Sequence, residues 1–467
     1  LLAGTRMILL LATFASLMLS TVLILAGHGL SSTLIPLRAD LAGFADLQIG
    51  LISSSFYVGF VIGCIFGPFL IMRAGHIRTF AALVSLMSGA ALLHPILVDP
   101  LAWSLFRAIT GVCFAGINLV VESWLNDRAT NENRGTVMSL YIICYLAATM
   151  GGQLMILGFD VATFVPFAIA SILVSVAVVP VTLTKAAQPA PITLVRFRPV
   201  KLYQTSAVAL IGCLFIGLAN SSMWALAPLY ATQVGYSTNE AALFAAAIVL
   251  GGAITQWPIG RVSDRIDRRF IIVLLGFSAA VAALALFSME SGNFWATFSI
   301  FLVLGMASQP TYAIVAAHAF DHVEAEDYVE TSSGVLMSNG IGAMIGPTVA
   351  AGLMFSVGPA GLFVWVAVVE LALAFFVVSR LLIRPAEEGL EKTEFEYGAT
   401  SNMGAVLTPD PLDVEDPYVI PPEEFPAYEQ DEGIAEEEVG DLPYRNDDDS
   451  DPPINGEGQD NSRLPPD

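Results

Sequence analysis

The stretch TQWPIGRVSDRIDRRFII, residues 255–272, decides how the chain folds. Six charged side chains, Arg261, Asp264, Arg265, Asp267, Arg268 and Arg269, fall within nine residues. The flanking sequence is almost wholly apolar. A short charged bend between two such runs is what joins helices that each cross a hydrocarbon layer of ~30 Å.

Outward from this bend the same alternation repeats. Apolar runs lie near 7–36, 47–72, 79–98, 101–126, 135–158, 162–184, 204–232, 240–260, 270–289, 293–318, 328–355 and 359–384, twelve in all. Only helices satisfy their own backbone groups in lipid, and the runs show no period-two alternation. The first run follows Arg6 and reads as a spanning helix, since it is too long for a cleaved leader. The 467-residue chain is 55% hydrophobic and only 13% charged, with mean hydropathy +0.70. Ordinary soluble domains carry about 25% charged residues. The expected fold is therefore an all-α membrane protein of twelve transmembrane helices.

The net charge of −22 is local. Residues 385–467 hold 25 acidic and three basic residues, so residues 1–384 are neutral overall. The Pro-rich acidic segment cannot bury enough apolar surface to order itself, and disorder is expected for 385–467. Tyr418, Phe425 and Tyr428 lie among its acids, as a docking motif for a cytoplasmic partner would. Without a basic, aromatic-interleaved patch the chain is not expected to bind nucleic acid.

Topology follows from Lys and Arg. Fifteen fall on one set of connections, and Arg38 alone on the opposite set. The basic side is read as cytoplasmic, with both termini on it. The basic stretch KAAQPAPITLVRFRPVKLY (185–203) separates six spans from six. This divides the chain into an N-terminal bundle (1–184), a linker (185–203), a C-terminal bundle (204–384) and the tail (385–467). Such a 6+6 pseudo-repeat suggests a midplane cavity between two bundles.

The pattern Gly260-x-x-x-Asp264-Arg265-x-x-Arg268-Arg269 after an apolar span resembles the signature loop of the major facilitator superfamily. RAITGVCFAG (107–116) is similar to a second motif of that family. ESWLNDRATNENRG (122–135), QWPIGRVSDR (256–265) and AHAFD (317–321) resemble its YcaD-like branch. The resemblance covers roughly residues 5–384. It implies a bacterial inner-membrane secondary transporter. Two departures stand out. Asp267 replaces a usual glycine, and Met72 occupies the place in the first half that Asp264 holds in the second.

Candidate gate residues gather at the basic end. Asp264 facing Arg265, Arg268 and Arg269 makes bonds that can form in one conformation and break in another. Such bonds are expected to hold the two bundles together. With Met72 unable to act in the first half, Glu122 is expected to do so, reaching Arg73 or Arg134. His318 and Asp321, in span 10, are the positional counterparts of Glu122 and Leu125 in span 4 and are further gate candidates. His318 and His322 share a helix face, yet lack a third ligand, so a metal site is not expected.

Ionisable groups at membrane depth are functional candidates by default. Arg107 and His28 lie inside spans 4 and 1, and the pair is expected to meet at the cavity. Histidine suits proton traffic near neutral pH. A fixed Arg107 favours an anionic or zwitterionic solute. Asn118, Asn220, Trp224, Gln256, Gln309 and Tyr312 complete the expected pathway. Glu370, midway along span 12, reads as a packing residue.

No phosphate loop, nucleophile triad or cofactor motif is visible, so an enzyme is not expected. The expected activity is alternating-access transport of a small solute, coupled to protons. A multidrug-type exporter of the same fold, and a transporter-like sensor signalling through its tail, are the alternatives.

Overall fold

The computed structural model describes residues 2–128, 134–183, 198–289, 292–323 and 327–383. The tail expected at 385–467 and the linker up to 197 lie outside the described residues, as does the side chain of Arg134. Among the described residues the chain is all helical. Twelve helices are long and apolar enough to cross a membrane. They are α1 (Phe14–Leu41), α2 (Asp46–Ala74), α3 (His76–Ile96), α4 (Pro100–Leu125), α5 (Val137–Gly158), α6 (Val165–Thr182), α7 (Ala207–Gln233), α8 (Thr238–Arg265), α9 (Arg268–Ser288), α10 (Phe294–Phe320), α11 (Glu330–Val357) and α12 (Gly361–Ile383).

The helices run further than hydropathy suggested. Arg38, assigned to a connection, lies in the last turn of α1. Arg73 and Arg265 end α2 and α8, and Arg268 opens α9. Hydropathy stops at the first charge, whereas helical hydrogen bonding continues into the headgroup zone. The true bends are therefore very short. Gly75 alone separates α2 from α3, with φ of 81°, a left-handed conformation that favours glycine. Ile266 and Asp267 separate α8 from α9, and the Asp267 side chain caps α9 by accepting from the Arg269 N–H.

The repeat is visible in the packing. α1 packs on α5 and α6, α2 on α4, and α3 on α4 and α6. Six helices later, α7 packs on α11 and α12, α8 on α10, and α9 on α10 and α12. Paired glycines let the main partners touch backbone to backbone. A Cβ at Gly59 would overlap the Ala108 carbonyl, and one at Gly111 the Phe56 carbonyl, where α2 meets α4. The equivalent α8–α10 crossing has Gly251 against Leu302 and Gly305 against Ile248. In lipid, helix association relies on such close packing because the solvent offers no hydrophobic drive.

Three apolar clusters differ in membership. One joins both halves, with Leu34, Ile49 and Ile52 packed with Leu226, Tyr230, Ala350 and Ala351. It lies toward the end opposite the charged bends. At the charged end each half keeps its own cluster. Phe80, Val121, Trp124 and Tyr141 serve the first half, and Val208, Ile272 and Phe320 the second. The halves thus share a buried core at one end and keep separate buried cores at the other, where only Leu336 of α11 is seen, among the described residues, to pack across onto the first-half cluster. Many large apolar side chains, Leu105, Phe277, Trp295 and Phe375 among them, face outward, as a lipid-facing exterior requires.

Candidate functional site

A cavity of about 70 Å³ lies between the halves. His28, Tyr57, Tyr145 and Thr149 line it from the first six helices, and Asn220, Ser221, Trp224 and Asn339 from the second. Phe56, Phe60 and Phe114 supply apolar wall. These residues lie near the middle of α1, α2, α4, α5, α7 and α11. The crossings beside the cavity are tight. A Cβ at Gly217 would overlap the Asn339 carbonyl, so α7 and α11 are held at backbone contact there.

The His28 ring stacks on Phe114 at 4.1 Å between centroids and lies 5.2 Å from Phe56. Its Nδ1 has no hydrogen-bond partner, nor do Thr149 Oγ1, Asn220 Oδ1, Ser221 Oγ and Trp224 Nε1. Buried polar atoms are usually paired, so such a concentration marks a place where a ligand or water completes the bonding.

The expected pathway residues divide. His28, Asn220 and Trp224 line the cavity. Arg107 does not. Its guanidinium lies over Phe56, 4.4 Å from the ring centroid, with Nε and Nη1 unpartnered. Phe56 thus stands between Arg107 and the cavity, and Arg107 and His28 meet through this shared ring rather than directly. Asn118 is turned into its own helix, donating to the Phe114 carbonyl at 2.7 Å. Gln256, Gln309 and Tyr312 sit on α8 and α10, which supply no lining residue. Tyr312 is buried with its hydroxyl unpartnered, and Gln309 donates weakly to Ser308 at 3.5 Å. Glu370 is buried in α12 with Oε2 unpartnered.

The charged bend forms a compact clamp. Arg268 is almost fully enclosed. It donates from Nε to Asp321 Oδ2 at 2.7 Å, and from Nη1 to Asp264 at 3.1 Å and Ser263 Oγ at 3.1 Å. Arg269 grips Asp267 at 2.7 Å. Burial pushes the Asp267 carboxyl up, but the bonds and charge of Arg269 outweigh it and hold the group below its ordinary 3.8. Arg265 is exposed, and Gly260 accepts from Ser263 at 2.7 Å. His318 lies edge-on to His322 at 4.4 Å, and its carbonyl accepts from His322 Nδ1.

Asp264, Arg268 and Asp321 join α8, α9 and α10 to one another, while Arg198 and Lys201 pair with Asp327 and Glu330 at the start of α11. Asp264 and Asp321, the acids that hold Arg268, both come from its own half. Glu122, in turn, is buried and accepts from Tyr141 Oη at 3.3 Å. Arg73 is exposed at the end of α2 and is not its partner. His76, which aligns with Arg268 in the repeat, instead bonds Ser123 at 3.2 Å. In the first half a histidine–serine bond thus stands at the position of Arg268.

Contacts across the halves lie at the opposite end. Gln233 Nε2 donates to Asp46 at 2.7 Å, and Thr348 Oγ1 to Ser54 Oγ at 2.8 Å. Tyr57, Tyr145, Thr149, Ser221, Asn339 and this second set of contacts were missed in the sequence. Each is a polar residue inside or flanking a span, which was the available signal. The spans are apolar nearly all round, however, so no polar stripe shows which face meets the cavity.

Comparison with known proteins agrees with the geometry. A family model described as Major Facilitator Superfamily matches residues 17–329 and 209–414. An uncharacterized MFS-type transporter of Enterobacter sp. (strain 638) is 29% identical over 361 residues, covering 76% of this chain and 91% of that protein. The uncharacterized MFS-type transporter YcaD of Salmonella enteritidis PT4 (strain P125109) is 27% identical over 362 residues, with the same coverage. Among solved structures, the nucleoside transporter NupG superposes with TM-score 0.67 at 13% identity, covering 79% of this chain and 98% of that one. A bacterial homolog to the human lysosomal transporter Spinster, inward-facing and occupied, gives 0.65 at 15% identity, covering 82% and 99%. With its twelve spans, paired halves and central cavity, this multi-pass membrane transporter belongs to the Major Facilitator Superfamily.

Proposed function

We propose that the protein is a bacterial inner-membrane secondary carrier that moves a small solute by alternating access, coupled to protons. Both termini lie on the cytoplasmic side in this reading, because the basic connections do. The observation that carries it is the uneven core. One apolar cluster unites the halves at the far end, while each half keeps its own at the basic end. Rocking the halves about the cavity would exchange which end is sealed. The far-end seal includes Ser54–Thr348 and Gln233–Asp46. At the basic end, the Asp264–Arg268–Asp321 clamp keeps α8, α9 and α10 moving as one body. His28 is the histidine on the cavity wall and is assigned the coupling proton.

The test compares solutes inside and outside cells expressing the wild type or a Ser54→Cys/Thr348→Cys pair. A compound that redistributes with the wild type and the reduced pair, and stops when the pair is oxidised, supports the reading. Redistribution that continues with the bond formed, or no compound that differs at all, contradicts it.

A further inference from the structure

We infer that the central cavity takes an uncharged solute bearing a flat, polar-edged ring. The inference rests on the transport reading above and names the substrate class of the same site.

The first argument is charge. Among the lining residues there is no aspartate, glutamate, lysine or arginine. With His28 unprotonated, an ion entering this cavity would shed its hydration without meeting an opposite charge, and an unpaired charge at membrane depth is costly. Arg107 is the nearest cation, and the Phe56 ring covers its guanidinium face. An anion in the cavity meets the Phe56 ring rather than the guanidinium. The preference for an anion that Arg107 suggests in the sequence therefore does not carry over to the cavity itself.

The second argument is shape and edge chemistry. Six aromatic side chains, Phe56, Tyr57, Phe60, Phe114, Tyr145 and Trp224, line the space. Aromatic walls favour flat rings through stacked and edge contacts. The unpartnered polar atoms divide between types. Trp224 Nε1 can only donate and Asn220 Oδ1 can only accept, while Thr149 and Ser221 hydroxyls do either. They come from both halves, Thr149 from α5 and the others from α7. A ring with donors and acceptors around its edge satisfies this set, and would bridge the halves as it binds. A purely hydrocarbon ring would leave these atoms unpaired. A flexible polyol would leave the aromatic faces unused.

The test uses purified full-length protein and a matched set of compounds. Nicotinamide and uracil are the neutral rings. Nicotinate and orotate are their anionic relatives, 1-methylnicotinamide is a cation of the same shape, and mannitol is neutral without a ring. Thermal stabilisation in detergent reads binding, and uptake into proteoliposomes reads flux. We expect stabilisation by a neutral ring, with little from the ions or mannitol. Asn220→Ala and Thr149→Val should each weaken that binding about tenfold, as loss of one buried hydrogen bond does. Stabilisation mainly by the anions, the cation or mannitol, or by none of the neutral rings, overturns the inference. Flux of an ion alone would overturn the class and leave the transport reading standing. Binding of a neutral ring without flux would do the reverse.

Discussion

At the scale of single residues, Arg268 shows how a buried charge is made tolerable. Its side chain is 1% exposed, and its two acidic partners differ in setting, with Asp321 at 5% and Asp264 at 28%. Removing a buried partner leaves an uncompensated charge, so Asp321→Asn should cost about 3 kcal/mol. Asp264 is partly solvated, and Asp264→Asn should cost under about 1 kcal/mol. Thermal unfolding of both variants in detergent checks the order. Asp267 adds a pH dependence. Its folded pKa lies below its ordinary 3.8, so it contributes stability above that value and loses it as pH falls through the folded value. The gap in melting temperature between wild type and Asp267→Asn should therefore be widest near neutral pH and close below about pH 4. The charged bend was legible in the sequence as a cluster. Its pairing was not, because Asp321 lies 53 residues beyond Arg268 and reaches it only through the packing of α9 on α10.

At the scale of helices, the twelve spans were readable because hydropathy and length suffice to identify them. Their ends were not, since charges at the headgroup level interrupt hydropathy without ending a helix. Helix pairing depends on small residues whose partners are distant in sequence. Gly151 and Gly152 separate the two roles. A Cβ at Gly152 would overlap the Ala26 carbonyl of α1, while one at Gly151 meets nothing within 4 Å. We expect Gly152→Ala to cost about 1–3 kcal/mol by forcing α1 and α5 apart. Gly151→Ala should be neutral or stabilising by up to about 1 kcal/mol through helix propensity. Expression and melting temperature of the two variants decide this. Polar cavity residues on α5 and α11 escaped the sequence reading for a related reason. Tyr145, Thr149 and Asn339 gain significance only when the repeat brings those helices to the cavity.

At the scale of the molecule, the two halves repeat each other in packing and differ at the position of Arg268. The second half carries an ionic clamp where the first has His76 against Ser123. Weakening the far-end seal should shift the balance between the two ends. Gln233→Ala removes the bond to Asp46 and should increase reagent access to cysteines placed above the cavity, without altering the clamp. The central claim is that the sealed end alternates. Spin labels at Leu41 and Val357 report the far end, and labels at Met72 and Ile266 the basic end; all four positions are exposed. Pulsed distance measurements on both pairs, across pH and with a bound solute, test it most directly. We expect two populations in which the far-end distance lengthens as the basic-end distance shortens. A single fixed distance at both ends under every condition would contradict alternating access.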